Sequence, residues 1–326
     1  MNKPAVQSDQ PAKVFFCVSL NPAIDTRLIV NGFSPGRVNR VSEVYRTPGG
    51  KAAHVAMALK GLGAIPTWIG FSGGATGNEL LAGLRLLEIE TMPVSTGQSS
   101  RVNLEILDTQ GEVTEILEPG GTITQSEWFE FQQVCAGAFQ LVADKKIAVI
   151  SGSLPPGVPA EACATLVSSA QSANCLAFVD SSGLPLSKAL AAGPDLVKIN
   201  REEAEFVAQV AIRDPISAAQ AARKLLELGA NSAVVSLGER GLVGVRKHDR
   251  LAIHAWTAPL RPKSTVGCGD SALAGLAFAA ATGLSFERSL ALAVACGTSN
   301  CLAAFPGRIA REDVSRIEQG VHIELL

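Results

Sequence analysis

An α/β fold with a mostly parallel central sheet between two layers of helices, and a small β-sheet lid beside it, is the architecture this 326-residue sequence predicts. Three observations lead there. Short β-rich runs alternate with helical ones, as in parallel sheets covered on both faces. Two stretches break that rhythm with the apolar/polar alternation of half-exposed strands. The composition, 47% hydrophobic and 18% charged, supplies a large core and excludes a disordered chain, leaving one domain with an appendage or two domains both open.

The first strand is VFFCVSL (14–20). Residues 26–46, turning at SPGR, and 98–118, turning at DTQG, are expected to be antiparallel strands of a lid over the main sheet. KIAVI (146–150) is a central strand that runs into Ser151-Gly-Ser-Leu-Pro-Pro-Gly157, a turn at the carboxyl edge, where open α/β sheets bind ligands. CLAFVD (175–180), DLVKIN (195–200) and SAVVSL (232–237) follow as further strands, and 271–304 reads as two buried helices separated near Gly283.

Formal net charge is -2 with no long run of Lys and Arg, so neither nucleic acid nor a membrane surface is an expected partner, and a small-molecule ligand is. Seven scattered cysteines without a C-x-x-C pair point to reduced thiols in a cytoplasm rather than a zinc or disulfide framework. The first residues lack an apolar signal core, and the longest apolar run, Ala272 to Ala281, falls short of the roughly 20 residues a membrane helix needs. A soluble cytoplasmic protein is the expectation.

Asp270 follows two closely spaced glycines, Gly267 and Gly269, at the mouth of an alanine-rich helix. Helix capping alone accounts for an acid there. The glycines add a second possibility, since they let successive N–H groups converge on an anion, with the acid beside it as a general base. A P-loop is excluded, because Gly50-Lys51 is followed by Ala52 and Tyr45 stands where the first glycine belongs. Gly267-Cys268-Gly269 through Ala272 fits the dinucleotide fingerprint, but without the βαβ unit that fingerprint requires.

The polar signals come in a fixed order: Asn21-Pro-Ala-Ile-Asp25, Pro48-Gly49-Gly50-Lys51, Gly73-Gly-Ala-Thr-Gly77, Ser151-Gly-Ser-Leu-Pro155, Val179-Asp-Ser-Ser-Gly183, Asn200-Arg-Glu-Glu203, Ser236-Leu-Gly238-Glu-Arg-Gly241 and Ser264-Thr-Val-Gly-Cys-Gly-Asp270. This series resembles the phosphofructokinase B family of sugar kinases, in the ribokinase-like superfamily. The resemblance runs from Val14 to about Asp313 and is strongest to the sugar-phosphate branch: minor 6-phosphofructokinases, 1-phosphofructokinases and tagatose-6-phosphate kinases.

The resemblance implies a single ribokinase-like domain over 1–326 with the lid at 26–46 and 98–118, ATP and Mg²⁺ as requirements, and a homodimer formed through the lids. It assigns Asp270 as the base and the backbone of Gly267, Cys268 and Gly269 as the anion hole. Asn200 and Glu203 would organise Mg²⁺, mainly through water, and Lys198, Asn200, Ser236, Gly238 and Gly241 would face the nucleotide. A charged helix start explains NREE as well, and a hairpin turn explains SLGERG. Asp25, Gly49, Gly50, Lys51, His54 and Ser151 match sugar contacts, and Arg37 and Arg101 match lid positions that hold the phosphate already on the sugar.

Two residues depart from the family pattern. His54 stands where an Asn usually bonds the sugar, and an imidazole cannot supply an amide's donor and acceptor pair. Glu115 stands at a lid Arg position. The expected reaction is ATP-dependent phosphorylation of a ketohexose phosphate, fructose 6-phosphate first, with fructose 1-phosphate and tagatose 6-phosphate behind it. A kinase for an unphosphorylated sugar or nucleoside, and a sugar-sensing protein without turnover, are the alternatives; the intact Asp270 motif counts against the second.

Overall fold

The computed structural model describes residues 13–109 and 111–326. Its main sheet has ten strands. Seven run parallel, in the order β11 (Ser232–Ser236), β10 (Leu196–Asn200), β9 (Leu176–Asp180), β8 (Lys145–Ser151), β1 (Lys13–Ser19), β4 (Pro66–Ser72) and β5 (Glu90–Ser95). Beyond β11, β12 (Leu242–Arg246), β13 (Ile253–Trp256) and β14 (His322–Leu325) add an antiparallel edge.

Strand β1 shows why the sheet needs helices on both sides. Phe16 and Val18 point into one core and Phe15 and Cys17 into the other, all buried, so an uncovered face would leave two large side chains in water. Helices α3 (Gln125–Phe139), α4 (Ala162–Ser172), α5 (Gly183–Ala191), α6 (Arg201–Ala208) and α7 (Pro215–Glu227) supply apolar side chains to the first core. The second is filled by α1 (Lys51–Gly61), α2 (Gly74–Leu86), α8 (Cys268–Thr282), α9 (Phe286–Leu302) and α10 (Arg311–Glu318). The two helices expected over 271–304 are α8 and α9, and α8 stops at Gly283, whose φ of 74° is a left-handed helix end.

The lid is a separate four-stranded sheet in the order β3 (Val41–Gly49), β2 (Ala23–Val30), β6 (Arg101–Asp108) and β7 (Val113–Leu117). The expected antiparallel pairing holds within each half of the lid, β2 with β3 and β6 with β7. β2 and β6 pair in parallel, from Ala23↔Arg101 to Val30↔Asp108, and only the outer pairs are antiparallel. Each half of the lid is a local hairpin, but the two halves meet through a long connection that leaves their relative direction free. Residues 31–40 are turn and loop rather than strand.

A buried ion pair fastens the lid to the rest of the chain. Arg27 on β2 donates from Nε and Nη2 to both oxygens of Glu105 on β6, each at 2.9 Å, and also to the carbonyl of Ala304 after α9. Glu105 accepts in turn from the Ser264 hydroxyl at 3.2 Å. The lid thereby contacts the segment that leads into α8. Removing one partner from such a pair leaves an uncompensated buried charge, which is the costly case.

Candidate active site

The carboxyl ends of β8, β9, β10 and β11 share one edge, where Ser151 pairs with Asp180 and Asn200 with Ser236 in register. A cavity of 510 Å³ opens there beneath the lid, and a second of 460 Å³ adjoins it, with Ser236, Thr265 and Gly269 lining both.

Asp270 lies in the first turn of α8, buried, and lines the first cavity. Asp270 is the acid of the first turn and so suits the positive helix end, but among the described residues its carboxylate accepts no backbone N–H there. Its Oδ2 instead lies 2.8 Å from Nδ1 of His54 on α1, and His54 Nε2 lies 2.8 Å from Asp25 Oδ2 on β2. His54 thus bridges the two acids. Burial opposes its charge, but hydrogen bonds and attraction from Asp25 and Asp270 prevail and raise its pKa to about 10. At neutral pH it is an imidazolium, and both N–H groups donate.

Asp25 also accepts from Asn103 Nδ2 at 2.9 Å. Burial again opposes the charge, and His54, Asn103 and the Gly50 N–H together hold the carboxyl below its ordinary value. Gly49 is required here, because a Cβ would sit 2.2 Å from the Asp25 carboxyl carbon.

Gly267 begins the cradle with φ 80°, a conformation that side chains other than glycine's disfavour. Among the described residues the N–H groups of Gly267, Gly269 and Asp270 have no partner, whereas Cys268 N–H donates to the Thr265 carbonyl at 3.3 Å. Gly267, Gly269 and Asp270 therefore present the open donors at a helix start, and Cys268 contributes its side chain to the neighbouring cavity. A Cβ on Gly269 would come within 2.9 Å of the Lys198 ammonium, so that charge lies against the cradle.

Lys198 and Asp180 are 3% and 1% exposed and bonded at 2.5 Å, and Lys51 Nζ reaches the other Asp180 oxygen at 2.5 Å. Despite burial, the two lysines hold the Asp180 carboxyl down at about 2. Burial likewise opposes the Lys51 charge, and Asp180, Glu203 and Asp270 outweigh it, raising its pKa. Two fixed positive charges thus line a cavity beside open N–H donors, an arrangement suited to a polyphosphate.

Asn200 and Glu203 form a capping box on α6: Glu203 N donates to Asn200 Oδ1 at 2.8 Å and Asn200 N to Glu203 Oε2 at 2.9 Å. The capping reading of NREE therefore holds locally. Both residues also line the cavity, with Glu203 Oε1 3.8 Å from Lys51 Nζ. Among the described residues no cluster of three or more His, Cys, Asp or Glu side chains stands ready for a metal. The donors fit Mg²⁺ that keeps most of its waters and phosphate oxygens, and do not fit a closed protein cage.

Of the remaining expected residues, Gly50, Lys51 and Arg101 line the first cavity and Gly238 and Gly241 the second. The SLGERG turn does join the antiparallel strands β11 and β12, so it is both a hairpin connection and part of a cavity wall. Arg101 holds the carbonyls of Asn21 and Glu118, at 3.2 and 2.8 Å. Arg37 is not brought to the site. It stands exposed in the 31–40 loop, as the last residue of the SPGR turn that joins β2 to β3. Ser151 is buried without lining the cavity, and its hydroxyl has no partner among the described residues. Its neighbours Gly152 and Ser153 take that place.

Glu115 lies opposite Glu105 in the lid and lines the first cavity. Burial, then the Glu105 and Asp25 charges, push its carboxyl up. Sequence reasoning gave no role to Asp180, although an acid ending the apolar run CLAFVD was the available signal. It also missed Asn300, a buried amide in an alanine-rich helix. Asn300 Nδ2 donates to the Val266 carbonyl at 2.8 Å, and its Oδ1 accepts from Ser271 Oγ and Gly307 N, fixing the turn that carries the cradle.

Comparison with known proteins adds an independent line. Residues 15–304 match the family model described as pfkB family carbohydrate kinase. The chain is 32% identical over 309 residues to an Escherichia coli protein named ATP-dependent 6-phosphofructokinase isozyme 2, covering 93% of this chain and 97% of that protein. It is 29% identical to a Vibrio cholerae 1-phosphofructokinase, covering 95% of this chain and 96% of that one. Among solved structures, Escherichia coli phosphofructokinase-2 in complex with fructose-6-phosphate superposes with a TM-score of 0.84 at 30% identity, over 94% of this chain and 98% of that chain.

Proposed function

The chain belongs to the pfkB family of carbohydrate kinases, and from that premise we propose that it transfers the γ-phosphoryl group of ATP to a hydroxyl of a ketohexose phosphate, forming a bisphosphate. Fructose 6-phosphate is the leading acceptor, ahead of fructose 1-phosphate and tagatose 6-phosphate. One observation carries the reading: the Asp270 carboxylate lies in a cavity beside open N–H donors and the Lys198 ammonium. A base and an anion cradle side by side are what in-line phosphoryl transfer asks of a protein.

In this reading Asp270 accepts the proton of the attacking hydroxyl through the oxygen not held by His54. Asp25 and Asn103 orient sugar hydroxyls. The N–H groups of Gly267, Gly269 and Asp270, with Lys198, meet negative charge on the transferred group, and the second cavity accommodates the rest of the nucleotide. Mg²⁺ would be held through Asn200 and Glu203, mainly by way of water, and supplies charge neutralisation when bound.

Glu203→Gln is accordingly expected to raise the Mg²⁺ concentration for half-maximal rate, measured by titration at saturating ATP. An unchanged titration returns the pair to capping alone.

Arg101 carries the recognition of the phosphate already on the sugar. A charge-assisted hydrogen bond contributes about 1.5–3 kcal/mol, so Arg101→Ala should cut the kcat/KM preference for fructose 6-phosphate over fructose by roughly 10–10²-fold. Glu115 favours the alternative acceptor, an unphosphorylated sugar, because an acid in the cavity wall repels a dianion. ADP release measured across fructose, fructose 1-phosphate, fructose 6-phosphate and tagatose 6-phosphate separates the two: the best rate falls on a sugar phosphate if the proposal holds, and on fructose if it does not.

The lid also supports a homodimer. Val41, Val44, Tyr45, Val113, Ile116 and Leu117 are exposed on its two outer strands, and a small sheet that exposes apolar side chains gains stability when its copy covers them. Sedimentation at micromolar concentration should give a dimer, and a monomer contradicts it.

A further inference from the structure

Seven cysteines are free, and five of them, Cys17, Cys135, Cys163, Cys175 and Cys296, are buried. Burial pushes those five thiols up and makes them poor nucleophiles. Cys268 and Cys301 differ in three respects. They are only partly buried, they line the same 460 Å³ cavity, and their sulfur atoms lie 3.2 Å apart. Cys268 is the first residue of α8 and Cys301 lies near the end of α9, so the packing of these two helices brings together thiols 33 residues apart.

We propose that Cys268 and Cys301 are a paired modification site, a dithiol that peroxide converts to an intramolecular disulfide at the edge of the phosphate cradle. A disulfide has an S–S distance of about 2.05 Å, so the sulfurs need to close by only about 1.2 Å. The contact between the two thiols holds Cys301 below its ordinary value and raises Cys268, so Cys301 is the sulfur that attacks first in the proposed sequence. Its thiolate attacks one peroxide oxygen, the O–O bond breaks, and the leaving hydroxide takes a proton to become water. The resulting sulfenic acid is then attacked by the Cys268 sulfur, which loses its proton as the S–O bond breaks and a second water departs. Two thiols and one hydrogen peroxide give one disulfide and two waters. The sulfurs lose two electrons and the peroxide oxygens gain them.

The bond reaches function through the backbone. Cys268 lies between Gly267 and Gly269, whose N–H groups are open donors, and Asn300 Nδ2 ties both Cys268 Sγ, at 3.3 Å, and the Val266 carbonyl. Drawing the Cys268 sulfur toward α9 pulls on that turn. Misplacing a catalytic group by about 1 Å can cost roughly 10²-fold in rate. This effect on transfer rests on the proposed kinase reading, whereas formation of the bond does not.

The test treats the full chain with stoichiometric hydrogen peroxide and reads three quantities: free thiols, the cross-linked peptides by mass spectrometry, and transfer rate before and after dithiothreitol. The expected result is a thiol count that falls by two from seven, a single peptide pair joining 268 to 301, and a loss of roughly 10–10²-fold in rate that dithiothreitol reverses. Cys301→Ser and Cys301→Ala, whatever their starting rates, should keep those rates through the same treatment. Retention of seven thiols, a bond between other cysteines, or a 268–301 bond that leaves the rate unchanged overturns the proposal. A chain that forms the bond but transfers no phosphoryl group to any sugar before treatment contradicts the kinase reading instead.

Discussion

Asp270→Asn should lower turnover by at least roughly 10²–10⁴, the range for losing a positioned base, while KM for the sugar phosphate stays within a few-fold. The substitution is nearly isosteric. An Asn oxygen can still accept from His54 Nδ1, where Asp270 Oδ2 now sits at 2.8 Å, and this turns the amide NH₂ toward the cavity. The shape of the site survives, but the atom facing the attacking hydroxyl becomes a donor and cannot take its proton. Coupled ADP-release kinetics check the split between kcat and KM, and near-normal turnover removes Asp270 from the role of base.

The second large effect is expected at His54. Its imidazolium is buried between Asp25 and Asp270, and His54→Leu leaves two carboxylates facing an apolar side chain. Breaking a buried charge pair from one side costs about 3–5 kcal/mol, so this variant should unfold at clearly lower denaturant concentration and lose most of its turnover. His54→Asn keeps a donor for one of the acids and should lose less of both.

The pH dependence separates charge from packing. The folded pKa of about 10 lies above the ordinary 6.5, so the bridge's contribution is complete below about pH 6.5 and is lost as pH rises through 10. Wild-type stability should fall relative to His54→Asn across that window. Asp25, Asp270 and Glu115 face His54, and Lys51 lies one turn earlier on α1, so the difference between the two proteins isolates the His54 proton. Parallel pH profiles would mean that His54 is neutral when folded.

The main sheet was legible because parallel core strands are short, continuous and apolar: VFFCVSL and SAVVSL each stand out from helical neighbours without any knowledge of their partners. The cradle was legible for a related reason, since Gly267, Gly269 and Asp270 are adjacent in sequence and their chemistry is local. What sequence reading missed is non-local. The parallel pairing of β2 with β6, the Arg27–Glu105 pair 78 residues apart and the Cys268–Cys301 contact depend on which surfaces meet, and no period in the chain encodes that. His54 stood out as a departure from a family pattern. Its bridge between two acids, 29 residues one way and 216 the other, became visible only in three dimensions.

The proposed reaction is a transfer of phosphoryl to a sugar that already bears a phosphate. Phosphorus NMR of the full chain incubated with Mg²⁺, ATP and fructose 6-phosphate tests it without any coupling enzyme. The expected result is a new phosphoester signal from a hexose bisphosphate, appearing in one-to-one proportion with ADP, and no comparable product when fructose replaces fructose 6-phosphate. ADP with inorganic phosphate alone, or a phosphoester formed from fructose while fructose 6-phosphate stays unchanged, would contradict it.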